Sequence, residues 1–424
     1  MRISKVFLVL CIVLVFLVSC TSKENKIFEE KKTYELKVLY WDSESFFSTY
    51  GNYINSEFPN IEFEVIPLKQ IYVSDIPPKE EINKLVSDEN PDIMILNQGQ
   101  YDFLESKLEP LKSIISKETF SSLQKGVKEL LESYGEGDVY GIPMSFTTNL
   151  MFYNKDILDS FNIDPQTFNQ MDWIQFFQMI RKIPPAEDQL AFYAQSSEPA
   201  SLITSIGISE GYSYLDQNSS KINLNTEGWK SIIEAIKPLY NDHLINSWDS
   251  SYGFDKNPFI QGSAATMIGD YNLFRSLTEN SPSFTWGVAP LPSKDHSRAS
   301  MNLEKIITIN KESGNKNAAI KFIEYLMSEK MTKILGNIDT SLSSSMYSSV
   351  SKNESNPIHF IYDLSANLDS ISSYKKIEAM PEEFNNSFSP FFVDIIRQII
   401  NNEIDINVGL NKLEEFGNNL LGAN

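Results

Sequence analysis

Residues 139–158, VYGIPMSFTTNLMFYNKDIL, decide the fold. Tyr140-Gly141-Ile142-Pro143 reads as a turn entering a short strand, because Pro143 fixes its own φ and pushes Ile142 towards extended geometry. A polar crossover from Ser145 to Asn149 follows. Leu150-Met151-Phe152-Tyr153 is then a second strand, and Asn154-Lys155-Asp156 opens a helix. Two apolar strands with a small polar joint suit a chain passing from one lobe to another. An ordinary strand pair with a polar loop shares the pattern, and the surrounding chain weighs between the two.

Upstream, 34–41 (YELKVLYW) is a strand, 46–58 has helical spacing and stops at Pro59-Asn60, and 61–66 alternates as a second strand. A helix over 80–88 and a buried strand over 93–96 complete a β-α-β-α-β series. That order predicts a parallel sheet wrapped by helices. Ligands on such sheets bind beyond the carboxyl ends of the strands. Two polar loops therefore become candidates: Asp42-Ser43-Glu44-Ser45 after the first strand and Asn97-Gln98-Gly99-Gln100 after the third.

Downstream, helices are expected over 172–182, with Asp172 as cap, over 199–208 and over 226–240. A small-residue strand over 264–268 ends at Gly269-Asp270-Tyr271, and another strand covers 285–288. A return strand over 305–309, a helix over 315–328 and two helices within 390–421 follow. A chain that leaves one lobe, builds another and returns makes both lobes discontinuous. The expected architecture is α/β, with residues 34–147 and 306–358 in an N-terminal lobe, 148–305 and 359–424 in a C-terminal lobe, and hinge strands between them.

The chain has 424 residues, 42% of them hydrophobic and 12% aromatic, too many for one compact core and ample for two. A formal charge of −20 repels nucleic acid and anionic headgroups. Arg2 and Lys5 precede an apolar run over 6–18, shorter than the ~20 residues a membrane-spanning helix needs, so 1–19 reads as an export signal. Cys20, directly after Leu17-Val18-Ser19, resembles the bacterial lipobox cysteine, which implies cleavage before it and a lipid on its sulfur. The other cysteine, Cys11, lies in the discarded segment, which leaves no intramolecular disulfide. Residues 20–33 are polar and charged and read as a flexible tether that anchors the body to a membrane surface.

Enzyme signatures are weak. Gly207-Ile208-Ser209-Glu210-Gly211 matches the G-x-S-x-G elbow, but a helical segment precedes the serine where a strand is required. His243, His296 and His359 are isolated and lack zinc-ligand spacing. Neither a phosphate-cradling loop nor a dinucleotide fingerprint occurs, and eight repeated βα units are not visible.

Six segments, in this order and spacing, resemble the bacterial extracellular solute-binding family that includes maltose- and other sugar-binding proteins. They are Pro91-Asp92-Ile93, Tyr140-Gly141-Ile142-Pro143, Tyr153-Asn154-Lys155-Asp156, 262–271 (GSAATMIGDY), 286–292 (WGVAPLP) and the 315–328 helix. The resemblance implies a two-lobed, type II periplasmic-binding-protein-like fold that closes on a ligand, needs no cofactor, works as a monomer and delivers its ligand to separate ABC importer permease subunits. It implies an aromatic ring at Tyr271 beside Asp270, and ligand contacts from Trp41, Asp42 and Ser43 at the mouth of the first strand. It implies polar contacts from Gln98 and Gln100, hinge positions at Thr147 and Asn149, a carboxylate at Glu198 and a further ring at Phe391. Leu96 and Ala200 stand where maltose-type relatives carry rings, and Trp248 is the candidate replacement. Trp173, Trp229 and Trp286 sit within regular elements and read as core.

The chemistry fits a sugar, whose apolar C–H face takes a flat ring and whose hydroxyl rim takes Asp, Asn, Gln or Glu. An oligosaccharide is therefore the expected ligand, and no covalent change to it is expected. The alternatives are an exported carbohydrate-active enzyme and a sensory co-receptor of the same fold.

Overall fold

The computed structural model describes residues 33–73, 78–186, 188–248, 256–338 and 341–422. The export signal, Cys20 and the tether up to residue 32 lie outside the described residues. The strands are β1 (Tyr34–Tyr40), β2 (Ile61–Pro67), β3 (Ile93–Leu96), β4 (Ile142–Thr148), β5 (Leu150–Asn154), β6 (Leu190–Tyr193), β7 (Ala264–Gly269), β8 (Trp286–Ala289), β9 (Arg298–Ala299), β10 (Met301–Ile309), β11 (Leu342–Ser343) and β12 (Ser365–Ala366). Among the described residues they form one sheet in the order β11-β4-β10-β3-β1-β2, a second in the order β6-β7-β5-β8, and a short pair of β12 with β9.

In the first sheet β1 runs parallel to β2 and β3, while β10 is antiparallel to β3 and β4. All four residues of β3 are buried, as expected of a central strand covered on both faces. In the second sheet β6 is parallel to β7, and β5 is antiparallel to β7 and β8. Its strands contribute to two apolar clusters, with strict alternation along β5. Leu150, Phe152, Ala264 and Met267 join a cluster continuous with the core of the first sheet, whereas Met151, Ala191 and Ala265 face the helices on the other side.

Helices relevant to the site are α1 (Ser43–Phe46), α2 (Gln98–Leu104), α3 (Lys125–Tyr134), α4 (Trp173–Ile180), α5 (Pro199–Ser209), α6 (Glu227–Asn241), α7 (Tyr271–Asn280), α8 (Lys316–Leu326), α9 (Leu368–Glu378), α10 (Glu382–Ile400) and α11 (Ile406–Leu420). Asp172 caps α4 in a reciprocal box with Gln175. Trp173 and Trp229 are buried, and Trp286 is half-buried against Phe152 and Phe274.

Four sequence expectations change. The polar crossover narrows to Asn149, because Ser145–Thr148 continue β4, which is flanked by β10 and β11, and Ser145 and Phe146 are fully buried. The return strand starts at Met301, whose neighbours pair with β4 before reaching β3. The stretches 42–45 and 97–100 are capped helix starts rather than loops. Helix α10 begins at Glu382 and runs through Pro390. Phe384, Phe388 and Phe392 stack at 5.0 and 5.9 Å along its buried face, which offsets the ~3 kcal/mol an interior proline costs.

Candidate functional site

The register of the sheets fixes where their working edges lie. Thr148 pairs with Met301 in the first sheet, and with only Asn149 between them Leu150 pairs with Gly269 in the second. The carboxyl end of β7 therefore lies at the crossing. Strand β10 enters at the same crossing and runs antiparallel to β3, so the carboxyl ends of β3 and of its parallel neighbour β1 point the same way. The edges of both sheets that can hold a ligand thus open onto one seam.

On the first-sheet side, Trp41 and Asp42 follow β1. The Asp42 carboxylate accepts from the Ser45 backbone N–H at 2.8 Å, capping α1, and lies 3.5 Å from Lys69 Nζ. The Ser45 hydrogen bonds foremost, with Lys69 beside them, hold this carboxyl below the usual range. Ser43 is exposed on the first turn of α1. Trp41 is 48% exposed, and its ring centroid lies 5.7 Å from that of Tyr72. Asn97 and Gln100 form a reciprocal capping box at the start of α2, and the buried Gln100 donates from Nε2 to the Tyr72 hydroxyl at 2.7 Å. Gln98 donates to Asp102 at 3.1 Å, while its Oε1 is shielded from solvent without a hydrogen-bond partner.

At the crossing, Thr147 is half-buried opposite Asn302, Asn149 is exposed, and Thr148 donates to the Ser300 carbonyl at 2.9 Å. The third passage of the chain is tied to both sides. Gln124 donates to the Leu364 carbonyl at 2.6 Å, Asn367 donates to the Ser209 carbonyl at 2.8 Å, and Ser300 and Ser370 hydroxyls meet at 3.0 Å.

On the second-sheet side, Asp270 caps α7 by accepting from the Leu273 N–H, and Tyr271 stacks on Phe274 at 6.1 Å with 13° between the rings. Tyr271 also approaches Tyr362, whose phenol is raised first by burial and further by Tyr271, against a lowering hydrogen bond from Ser348. Glu198, ahead of α5, accepts a two-pronged contact from the Arg397 guanidinium. That guanidinium lies 6.0 Å over the ring of half-buried Trp248, which tilts against Tyr240. The ring of Phe391 packs 4.2 Å from that of Phe416 of α11.

Two lobes' worth of strand ends around a polar and aromatic seam suit reversible capture of a solute. The sequence profile of bacterial extracellular solute-binding proteins matches residues 70–359. The chain belongs to that family. A binding protein of Brucella abortus (strain 2308) is 24% identical over 281 residues, covering 58% of this chain and 67% of that protein. The maltodextrin-binding protein MdxE of Bacillus subtilis (strain 168) is 24% identical over 186 residues, 40% of each chain. Among solved structures, a family 1 extracellular solute-binding protein from Alicyclobacillus acidocaldarius has a TM-score of 0.70 at 16% identity, covering 93% of this chain and 100% of that one. The sugar-binding protein MalE from Xanthomonas citri has a TM-score of 0.68 at 17% identity, covering 92% and 97%. Both share the mixed α/β two-sheet fold.

This solute-binding protein also holds a partly open cavity of about 160 Å³ at the crossing, lined by Asn149, Trp173, Ser205, Pro292, Ser300 and Tyr374 among others. Of the residues singled out from sequence as ligand contacts, only Asn149 lines it. Sequence reasoning missed Lys69, Tyr72 and Arg397. Lys69 and Tyr72 follow β2, and the strand-end rule applied to β1 and β3 reaches them when applied to β2 as well. Arg397 carries no signal, because it is one charge on an amphipathic helix.

Proposed function

We propose that this solute-binding protein captures an oligosaccharide in the seam between its sheets and closes on it by hinge motion about residues 149, 300 and 364–367. The lobes are then 34–148 with 301–363, and 150–299 with 368–422. Closure follows from ligand contacts to both lobes, since a ligand that binds the closed state better shifts the population towards it. The observation that supports it is the register: the strands that lead into Trp41, Asp42 and Gln98 in one sheet and into Asp270 and Tyr271 in the other end towards the same crossing. The likeness to a sugar-binding protein of known structure and to a maltodextrin-binding relative supports the same class. In this reading Cys20 carries a lipid anchor outside the cell membrane, the protein acts as a monomer, and separate importer subunits take the ligand. Among the described residues, no helix is long and apolar enough to cross a membrane.

Calorimetric titration of the mature chain with maltodextrins, raffinose, lactose and cello-oligosaccharides tests the class. Each rim hydrogen bond contributes only ~0.5–1.5 kcal/mol, so a tight hit requires several of them. Tyr271→Ala should weaken the best hit about tenfold or more, the loss of roughly 1.5 kcal/mol of stacking and burial. Binding of polyols or peptides but of no sugar would sink the oligosaccharide reading, and an unchanged constant in the variant would remove Tyr271 from the contact.

A further inference from the structure

We propose that the cavity at the crossing is a second ligand site, separate from the sugar seam, that takes a small neutral ring bearing a hydroxyl and couples its occupancy to the sugar through the hinge. The coupling rests on the hinge reading above; the site itself does not.

The walls set this cavity apart. None of Trp41, Asp42, Gln98, Glu198, Asp270 and Tyr271 lines it. All three passages of the chain between the sheets meet there instead. Residues 148–150 come from the first passage, 298–300 from the second, and Leu364 and Asn367 from the third. Helix α5 closes one side with Leu202, Ser205 and Ile206, and α9 reaches it with Tyr374. The two helices touch at this point, where burial raises the Tyr374 phenol and a hydrogen bond with Ser205 lowers it.

Size sets the first limit on an occupant. The volume of about 160 Å³ matches the ~150 Å³ that holds one benzene in a protein interior, so a single six-membered ring with a small substituent fills it. The lining sets the second limit. Leu150, Trp173, Leu202, Ile206 and Leu364 are buried and apolar. Water needs about two to four polar partners, which such a floor does not offer, whereas a ring gains by leaving water for it. The rim differs. Asn149 is exposed, and among the described residues its side-chain amide has no hydrogen-bond partner, so it can both donate to and accept from a hydroxyl. Charge sets the third limit. Arg298 at the rim is already matched by Asp295 at 3.0 Å and Asp369 at 3.7 Å, and a chain of formal charge −20 repels an anion. A cation would lose its hydration against the apolar floor.

An occupant that touches all three passages binds one relative setting of them better than another. Sugar capture by hinge motion changes that same setting. The two ligands must then alter each other's affinity, and by the same factor.

The test uses the mature chain without sugar and follows 4-fluorophenol by fluorine NMR, with fluorobenzene and 4-fluorobenzoate as controls. 4-Fluorophenol should bind saturably, and both controls should bind at least about fivefold more weakly, one for want of a hydrogen bond and the other for burying a charge. Asn149→Ala should bring 4-fluorophenol to the level of fluorobenzene. Ser205→Phe, which puts a ring into the cavity from an exposed position, should abolish binding. Its unliganded melting temperature checks that it folds, and Asn149→Ala decides alone if it does not. Saturating 4-fluorophenol should shift the Kd of the best-bound sugar about fivefold or more, and the sugar should shift the Kd of 4-fluorophenol equally. Absence of saturable binding, or binding by the folded variants within about twofold of the parent, refutes the site while the sugar function stands. Fluorobenzene binding as tightly as 4-fluorophenol refutes the hydroxyl, and tighter binding of 4-fluorobenzoate refutes the neutral class. A bound probe that leaves the sugar's Kd unchanged refutes the coupling. If no sugar binds the parent chain, the coupling falls with the oligosaccharide reading, and the 4-fluorophenol titration alone decides the cavity site.

Discussion

Two residues of the Gly207–Gly211 motif show why its chemistry is structural. Gly207 lies in α5 under the indole of Trp229, and an added Cβ would sit 2.1 Å from the ring. Alanine favours helix over glycine by about 1 kcal/mol, but overpacking against a buried ring costs about 1–3 kcal/mol, so Gly207→Ala should destabilise the protein. A rise in the urea midpoint of that variant would contradict this. Glu210 caps the same helix, with its side chain 3% exposed and Lys294 3.9 Å away. Burial raises its carboxyl above the ordinary range of a glutamate; Asp172 adds to the rise, and Lys294 and the Lys294 and Trp173 backbone N–H groups oppose it. Lys294 is itself held by the hydroxyl of Tyr212. The folded state thus holds the proton more tightly than the unfolded one. Stability from this group is complete below about pH 4.5 and falls as pH rises through the higher folded value. Glu210→Gln removes that dependence, so its stability relative to the parent should climb from pH 4 upwards and then level off. A difference that stays flat with pH would show that Glu210 ionises as it does in water.

At the level of elements, the start of α2 links stability to the site. Asn97 accepts from Gln100 N at 2.9 Å, and Gln100 in turn holds Tyr72. Asn97→Ala should cost about 1 kcal/mol, the usual loss of a helix cap. If Tyr72 contributes to the site, that variant should also weaken the best sugar, whereas Asp172→Ala, which strips a comparable box from α4, should lower stability alone. Equal affinity losses in both would point to general loosening. The same comparison shows what the sequence made legible. The Asp172 cap was readable because a strongly amphipathic run follows it. The Asn97 box was not, because Asn-Gln-Gly-Gln has the composition of a turn and Gly99 hides the helix behind it. Strands β1, β2, β3, β5 and β7 were readable from alternation or from fully buried runs. The extent of β4 was not, since polarity at Ser145, Thr147 and Thr148 looked like a loop while strand pairing on both sides made them sheet. Of the candidate site, the positions given by strand ends were legible. Arg397, the partner of Glu198, lies 199 residues away in sequence, and tertiary folding alone brings it there.

The molecule as a whole is joined more firmly than two beads on a hinge. One apolar cluster runs from Val38 and Ile93 of the first sheet to Phe152, Leu273 and Leu277 beside the second. The Ala366 N–H donates to Glu129 at 2.9 Å, Lys375 of α9 lies 3.6 Å over the ring of Tyr134 in α3, and Asn367 reaches back to α5. Melting either half would strip these partners from the other. Heating should therefore give a single transition, even though the strands fall into two sheets. For a chain of roughly 400 residues melting as one unit, the unfolding entropy is about 0.8 kcal/mol per degree. A ligand at a hundredfold excess over its Kd contributes about 2.7 kcal/mol to the folded state. The expected rise in Tm is then only about 3 °C, small because the whole chain shares it. Calorimetry with and without the best-bound sugar measures both numbers. Two separated transitions, with the sugar moving one of them alone, would mean that the ligand is held by one half, and capture by closure of both lobes would have to be abandoned.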